Sequence, residues 1–240
     1  MSSHNWKYKD SFFIEKYTAL WAYGYLNDIG QSEGLYRTIN ELGFSCLDRK
    51  GKYNILDIGC GVGRTTADYA RFFSISDIVG IDDSSSMIAM AQKINKTDET
   101  VTLDMTSIGL KVMSITGQVL HNLSFYEKRL VDYVSEPLKG KFDLITAVNV
   151  IDRIDDIEKS LENVYSLLKF GGIFILASPI NFSNSEDWKN FGSAGLLSSL
   201  VQRIGFKIDV KFDGLVYKEV LDARGATEEY LTVVMRLVKP

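Results

Sequence analysis

Ile55-Leu-Asp-Ile-Gly-Cys-Gly-Val-Gly-Arg64 joins an apolar run to three alternate glycines and then to a helical pattern. Tyr53 to Ile58 reads as a short buried strand, and Thr65 to Phe73 has the apolar spacing of a helix laid against a sheet. Gly59, Gly61 and Gly63 therefore fall in a strand-to-helix turn. Residues without a Cβ allow positive φ there and let backbone N–H groups approach a ligand at the positive end of the next helix. The stretch predicts a ligand-binding loop in an α/β fold.

Two kinds of ligand use such a loop, and the flanking residues separate them. A dinucleotide site wants G-x-G-x-x-G with a diphosphate on the helix N-terminus. Here the third glycine comes one position early, and Arg64 stands where that glycine is expected. Asp57, at the strand end, would repel a diphosphate and suits a ligand that brings an ammonium group, as the methionine part of S-adenosylmethionine does. Asp82 closes the next apolar strand, Asp77 to Ile81, and can accept both hydrogens of a ribose diol. Together, Leu-Asp-Ile-Gly-Cys-Gly-Val-Gly and the later Val-Gly-Ile-Asp-Asp-Ser resemble the first two motifs of class I S-adenosylmethionine-dependent methyltransferases. The resemblance implies a Rossmann-like α/β fold with a seven-stranded, mostly parallel sheet, helices on both faces and an antiparallel last strand. It also implies a cofactor site at Asp57, Gly59, Cys60, Gly61, Arg64, Asp82, Asp83, Met87 and Asn149, with Asp83 and Met87 flanking ribose and adenine.

The chain has 240 residues and 45% hydrophobic content, enough for one large core, and no Pro- or Ser-rich linker divides it. We expect a single domain over 1–240: a helical lid in 1–50 and a core in 51–240 with an insertion at about 98–122. Lys and Arg number 27 against 31 Asp and Glu, a net charge of −4, so no basic field awaits nucleic acid and a small or neutral substrate is more natural. Residues 1–10 lack the apolar core of a signal peptide and no apolar run reaches membrane-spanning length, which predicts a cytoplasmic protein. Cys46 and Cys60 form no CxxC pair and have no histidine cluster nearby, so neither a disulfide framework nor a metal site is suggested. His4 and His121 show no partner.

Residues 11–47 are rich in aromatics, Phe12, Phe13, Tyr17, Trp21, Tyr23, Tyr25, Tyr36 and Phe44, and read as one or two helices broken by Gly24, Gly30 and Gly34. In that position they can form a lid on the cofactor or fill a satellite core. Ser84 to Gln92 begins with N-cap residues and predicts the second crossover helix. Thr100 to Leu103 and Gly109 to Ile115 read as an inserted hairpin around a turn at 105–108, and Leu123 to Glu127 as the third parallel strand. Lys141 to Val148 is a buried strand with Asn149 and Asp152 at and just beyond its carboxyl end, where α/β folds place chemistry. Asp155 or Asp156 opens an amphipathic helix that leads through Lys169-Phe-Gly-Gly172 into another strand; Phe170 replaces the proline usual in the resembled family. One helix over 186–204, apolar at Leu196, Leu197, Leu200, Val201 and Ile204, and strands at Phe206 to Phe212 and Leu231 to Leu237 complete the pattern.

Asn149-Val-Ile-Asp-Arg153, with Gly63-Arg64 and Ser178-Pro179, resembles a narrower group, the ovothiol-biosynthesis mercaptohistidine N-methyltransferase domain and related histidine N-methyltransferases. That resemblance implies catalysis by Asp152 and Asn149 on an imidazole. A carboxylate accepting from the ring N–H fixes the tautomer and points the other nitrogen at the methyl group. The other readings are an oxygen or carbon acceptor in another small metabolite, a catalytically silent cofactor-binding partner, a nicotinamide oxidoreductase, or an Asp152 that only caps the next helix and pairs with Arg153.

Overall fold

The chain, described in a computed structural model over residues 10–24, 33–134 and 136–240, builds its sheet around the strand that precedes the glycine turn. In chain order the strands are β1 (Asn54–Ile58), β2 (Asp77–Asp82), β3 (Thr100–Leu103), β4 (Met113–Thr116), β5 (Leu123–Glu127), β6 (Phe142–Val148), β7 (Leu168–Ser178), β8 (Lys207–Val220) and β9 (Thr227–Val238). A seven-stranded sheet has the order β5-β2-β1-β6-β7-β9-β8, and β3 pairs with β4 apart from it. Neighbours in the run from β5 to β7 are parallel, whereas β9 is antiparallel to both β7 and β8. The expected strand reversal is therefore at β9, and the expected hairpin and third parallel strand are β3–β4 and β5.

Alternation along β1 puts helices on both faces. The helices are α1 (Ser11–Lys16), α2 (Glu33–Phe44), α3 (Arg64–Phe72), α4 (Ser85–Lys96), α5 (Leu130–Tyr133), α6 (Ile157–Leu167), α7 (Ser185–Phe191) and α8 (Ala194–Ile204). Leu56 and Ile58 join a core with Leu161 and Val164 of α6 and Leu197 and Leu200 of α8. Ile55 faces the other way, into a core with Leu35 and Ile39 of α2 and Tyr69 of α3. Each such side chain, removed from water, stabilises the fold by about 2 kcal/mol before chain entropy is counted. No described helix is long and apolar enough to cross a membrane.

Local signals start the helices as expected. Ser84 accepts from Met87 N–H at 3.3 Å to cap α4, and Asp156 accepts from Lys159 N–H at 2.9 Å to cap α6. Four details differ from the sequence expectations. The single helix over 186–204 is two, α7 and α8, because Ser193 caps a new start by accepting from Leu196 N–H at 3.2 Å; Leu196 is left 43% exposed rather than in the core. Gly34 lies inside α2 instead of breaking a helix. The second hairpin strand starts at Met113, after a 3-10 turn at Thr106–Ile108 closed by Gly109 at φ 79°. Strands β8 and β9 run past the expected limits, through 213–220 and 227–230. Tyr25 and Gly30 lie outside the described residues.

At the N-terminal end, Asp10 caps α1 by accepting from Phe13 N–H at 3.0 Å. The helix then widens into a π-helical turn, Tyr17–Ala22, whose last bond runs from Tyr23 N–H to Thr18 C=O at 3.0 Å. Such turns are uncommon and tend to occur at functional positions. Here the turn swings Tyr17 over the glycine loop: a Cβ placed on Gly61 would lie 3.1 Å from the Tyr17 hydroxyl.

Candidate active site

Gly59, Gly61 and Gly63 have φ of 65°, 53° and 82°. A Cβ at Gly59 would meet Val150 at 2.5 Å, and one at Gly63 would meet the Phe125 ring at 2.6 Å. Both conformation and space therefore demand glycine at these two positions. The loop is pinned from the next strand: Asp82 accepts from Gly61 N–H at 2.9 Å with one oxygen and from Ser84 N–H at 2.9 Å with the other. Burial pushes the Asp82 carboxyl up to about 6 against the pull of those two N–H groups.

Beside Asp82 lies a cavity of about 360 Å³ at the carboxyl ends of β1, β2 and β6, the size and place of a small-ligand site in such folds. Gly59, Asp82, Asp83, Leu130, Val131 and Arg153 are among its walls. It brings together the loop and the two acidic residues expected at the sugar. Leu130 and Val131 supply an apolar wall; they lie in Lys128 to Asp132, the stretch after the third parallel strand that the strand order puts near the adenine end, although no residue in it stands out in the sequence. Met87 is elsewhere: it is 1% exposed and packs with Ile14, Leu20 and Val62 between α4 and the N-terminal helix. On α4 it faces inward, one turn after the N-cap.

A second, much smaller cavity of about 20 Å³ lies on the other side of the loop, walled by Asp57, Gly59, Cys60, Arg64 and Asn149 and by Tyr17, Ala22 and Tyr36 from the N-terminal segment. The N-terminal segment therefore packs closely over this side of the glycine loop. Asp57 is 2% exposed and both its oxygens are engaged, one by the Thr66 hydroxyl and one by the Thr146 hydroxyl, each at 2.7 Å. Burial pushes its pKa up to about 6 despite these bonds. Burial likewise pushes the Cys60 thiol up, with Asp82 and Asp57 adding to the shift, the reverse of what a nucleophile needs.

Arg64 begins α3 and is buried. Its guanidinium donates to Ala22 C=O, pairs with Asp68 at 3.2 Å and lies 4.7 Å from the centre of the Tyr36 ring. It thus ties the N-terminal segment to the helix that carries the loop. Arg64→Met keeps the bulk and removes the latch. Amide hydrogen exchange over residues 11–22 is expected to speed up by about tenfold, as for one lost buried charge-assisted bond, while exchange in β1 stays unchanged. Unchanged exchange over 11–22 would show that the N-terminal segment is held by its apolar packing alone.

Asn149 and Asp152 stand past the end of β6 against the end of β7. Asn149 has φ 55°, its N–H donates to Ala177 C=O at 2.8 Å, and its side-chain amide donates to the Tyr217 hydroxyl at 3.3 Å. Asp152 is 4% exposed; one oxygen accepts from the Ser178 hydroxyl at 3.4 Å, and Arg153 Nε approaches the other at 3.6 Å. Burial raises the Asp152 pKa, against the Arg153 charge and the N–H groups of Asp152 and Asn181. Asn149 Oδ1 and Asp152 Oδ2 are both buried without a hydrogen-bond partner. Ile180, two residues beyond Ser178, also has positive φ, 54°, which is strained for a β-branched side chain. Backbone strain thus gathers at the tips of β6 and β7, as it does at working sites.

Over these tips lies the outer half of the C-terminal hairpin. The last pair between β7 and β9 is Ser178 with Val233, so Thr227 to Thr232 run on beyond the sheet, paired only with Leu215 to Val220. This brings Tyr217 and Tyr230, stacked at 5.1 Å, against Trp21 of the N-terminal segment, at 6.1 and 6.4 Å. Sequence reasoning missed Tyr217 and Tyr230.

Residues 56–174 match the family described as "Methyltransferase domain". The chain is 24% identical over 132 residues to trans-aconitate 2-methyltransferase of Deinococcus radiodurans, covering 55% of this chain and 40% of that protein. It is 25% identical over 164 residues to a ubiquinone biosynthesis O-methyltransferase of Rhodopseudomonas palustris, covering 68% and 51%. The chain thus spans about half the length of these curated relatives. In fold it is similar to a putative S-adenosylmethionine-dependent methyltransferase of Listeria monocytogenes, with TM-score 0.56, 13% identity, and 85% of this chain and 99% of that one covered. None of these three is described as a histidine N-methyltransferase. The glycine loop, the acidic residues and cavity beside it, and the Asn149 amide oxygen that accepts no hydrogen bond fit the cofactor of that class. With the strand order and the family match over residues 56–174, they make this chain similar to methyltransferase domains that use S-adenosylmethionine.

Proposed function

We propose that the chain methylates a ring nitrogen of a small heterocycle, most simply the imidazole of histidine or a histidine derivative. The observation that carries this reading is the buried Oδ2 of Asp152 just past the tip of β6, which accepts no hydrogen bond and has only the Arg153 charge near it, with Nε at 3.6 Å. A desolvated acceptor oxygen left open in a folded protein calls for a donor, and the ligand that would supply one there is a protic acceptor substrate. When bound, S-adenosylmethionine supplies a methyl group on a cationic sulfur. The glycine loop and Asp82 would hold its sugar, and the cavity wall of Leu130 and Val131 its base. Asp152 would accept the imidazole N–H, so that the lone pair of the opposite nitrogen faces the methyl group in line. The rings of Trp21, Tyr217 and Tyr230 offer a flat acceptor an aromatic wall.

The named activities of the relatives favour a second reading, transfer to a hydroxyl or carboxyl oxygen, in which Asp152 would take the proton from a hydroxyl. The net charge of −4 supports a small acceptor over a nucleic acid in either case. Labelled cofactor with a panel of imidazoles, phenols and hydroxy and carboxylic acids, followed by mapping of the methylated atom, separates the two. Label on an imidazole nitrogen is expected. Label on oxygen supports the second reading, and no label on any of them, with the cofactor still bound, overturns both.

A further inference from the structure

Of the residues in β8, Tyr217 alone is buried, at 3% exposure, and it sits on the part of the hairpin that overhangs the ends of β6 and β7. Its ring is fixed by Tyr230 stacked on it and by the Trp21 edge. That fixed ring presents its hydroxyl to the Asn149 amide nitrogen, which donates to it at 3.3 Å. With the nitrogen committed, the amide oxygen of Asn149 remains. Among the side chains around the small cavity at the glycine loop, it is the one with a buried oxygen that meets no donor.

Asp57, the residue that the charge argument assigns to the ammonium group, has each oxygen already accepting a threonine hydroxyl. Its charge still favours a cation nearby, but the open acceptor is on Asn149. We propose that Tyr217 is a positioning residue for the cofactor's amino-acid end: it anchors the Asn149 amide so that Oδ1 accepts from the ammonium group. Neither residue belongs to the lid. The pair is held by the β6 tip and the hairpin, with Tyr230 stacked on Tyr217, so it persists when Tyr17, Trp21 and Ala22 move aside. Tyr217 acts only through Asn149 and touches no reacting atom.

The proposal rests on the cofactor and not on the identity of the methyl acceptor, so its test needs no acceptor. Calorimetric titration would use S-adenosylhomocysteine and its analogue lacking the α-amino group. The proteins would be the unaltered chain, Tyr217→Phe, Asn149→Gly and the double variant. Phenylalanine keeps the ring stack, and glycine suits the positive φ at position 149. Tyr217→Phe is expected to weaken S-adenosylhomocysteine about tenfold, the size of one buried hydrogen bond, and to leave the deaminated analogue within twofold. In the Asn149→Gly background the same change is expected to cost nothing further, because the group it positions is gone. An equal loss on both ligands, a full further loss on top of Asn149→Gly, or no loss at all overturns the proposal. Should Tyr217→Phe fail to fold, Asn149→Gly alone decides: it must discriminate between the two ligands by about tenfold, and equal binding losses overturn the assignment.

Discussion

Asparagine in place of Asp152 is expected to lower methyl transfer by about a hundredfold while S-adenosylhomocysteine binds within twofold of the unaltered protein. The substitution keeps the shape and the bond from the Ser178 hydroxyl. It removes the negative charge that faces Arg153 and turns the oxygen that accepts no hydrogen bond into a group that presents N–H instead. An acceptor N–H facing that position would then lose its partner, and a hundredfold is about 2.7 kcal/mol, the range for an unmade bond to a buried charge. The pH profile carries a second sign. Burial holds the Asp152 carboxyl above its ordinary range, so its protonation should add to the fall in activity at low pH, and the variant should lose that component while keeping the one that comes from protonation of the imidazole itself. If turnover is unchanged, Asp152 serves only its partners Ser178 and Arg153, and the acceptor is held by other groups.

Asn in place of Asp57 is expected to do the opposite to stability. The folded carboxyl titrates near 6 and the ordinary value is 3.8. A raised pKa means that the folded chain holds the proton more tightly than the unfolded one. The favourable contribution is therefore complete below about pH 4 and is lost as pH rises through about 6. At neutral pH the ionised, buried form costs about 2–3 kcal/mol at 1.36 kcal/mol per pKa unit. Asp57→Asn should raise the melting temperature by roughly 4–8 °C at pH 8 and by little at pH 4. The same variant should bind S-adenosylmethionine at least tenfold more weakly, with a smaller loss for S-adenosylhomocysteine, which has no sulfonium charge to attract. A melting shift that is the same at both pH values would mean that Asp57 is not strained by its burial.

These two carboxylates also show what the sequence displays and what it hides. Asp57, Asp82, the three glycines and the Asn149–Arg153 run are written in adjacent residues whose strand-then-turn pattern is local, and the structure sets them around the ends of β1, β2 and β6. The partners that settle their chemistry come from afar. Thr66 and Thr146, 9 and 89 residues from Asp57, have no feature that marks them as its ligands. Tyr217 is 68 residues from Asn149, in a segment where Asp213-Gly214 reads as a turn although the strand continues through a register shift between Phe212 and Leu215. Met87 has helical spacing suited to either side of α4, and only the packed N-terminal segment makes its side the inward one. The break between α7 and α8 was hidden in the same way, since Gly192-Ser193 can be read as a tolerated interruption or as a cap.

Placing β9 between β7 and β8 has a consequence for how the chain reaches its final form. Strand β7 keeps a bare edge until residues 233–238 have emerged from the ribosome, and β8 can join the sheet only through them. The parallel half with the glycine turn can assemble early from nearby segments, but the roof carrying Tyr217 and Tyr230 arrives last. A nascent chain would thus hold the cavity beside Asp82 before Tyr217 meets the Asn149 amide, because that contact waits for residues 233–238 to join the sheet.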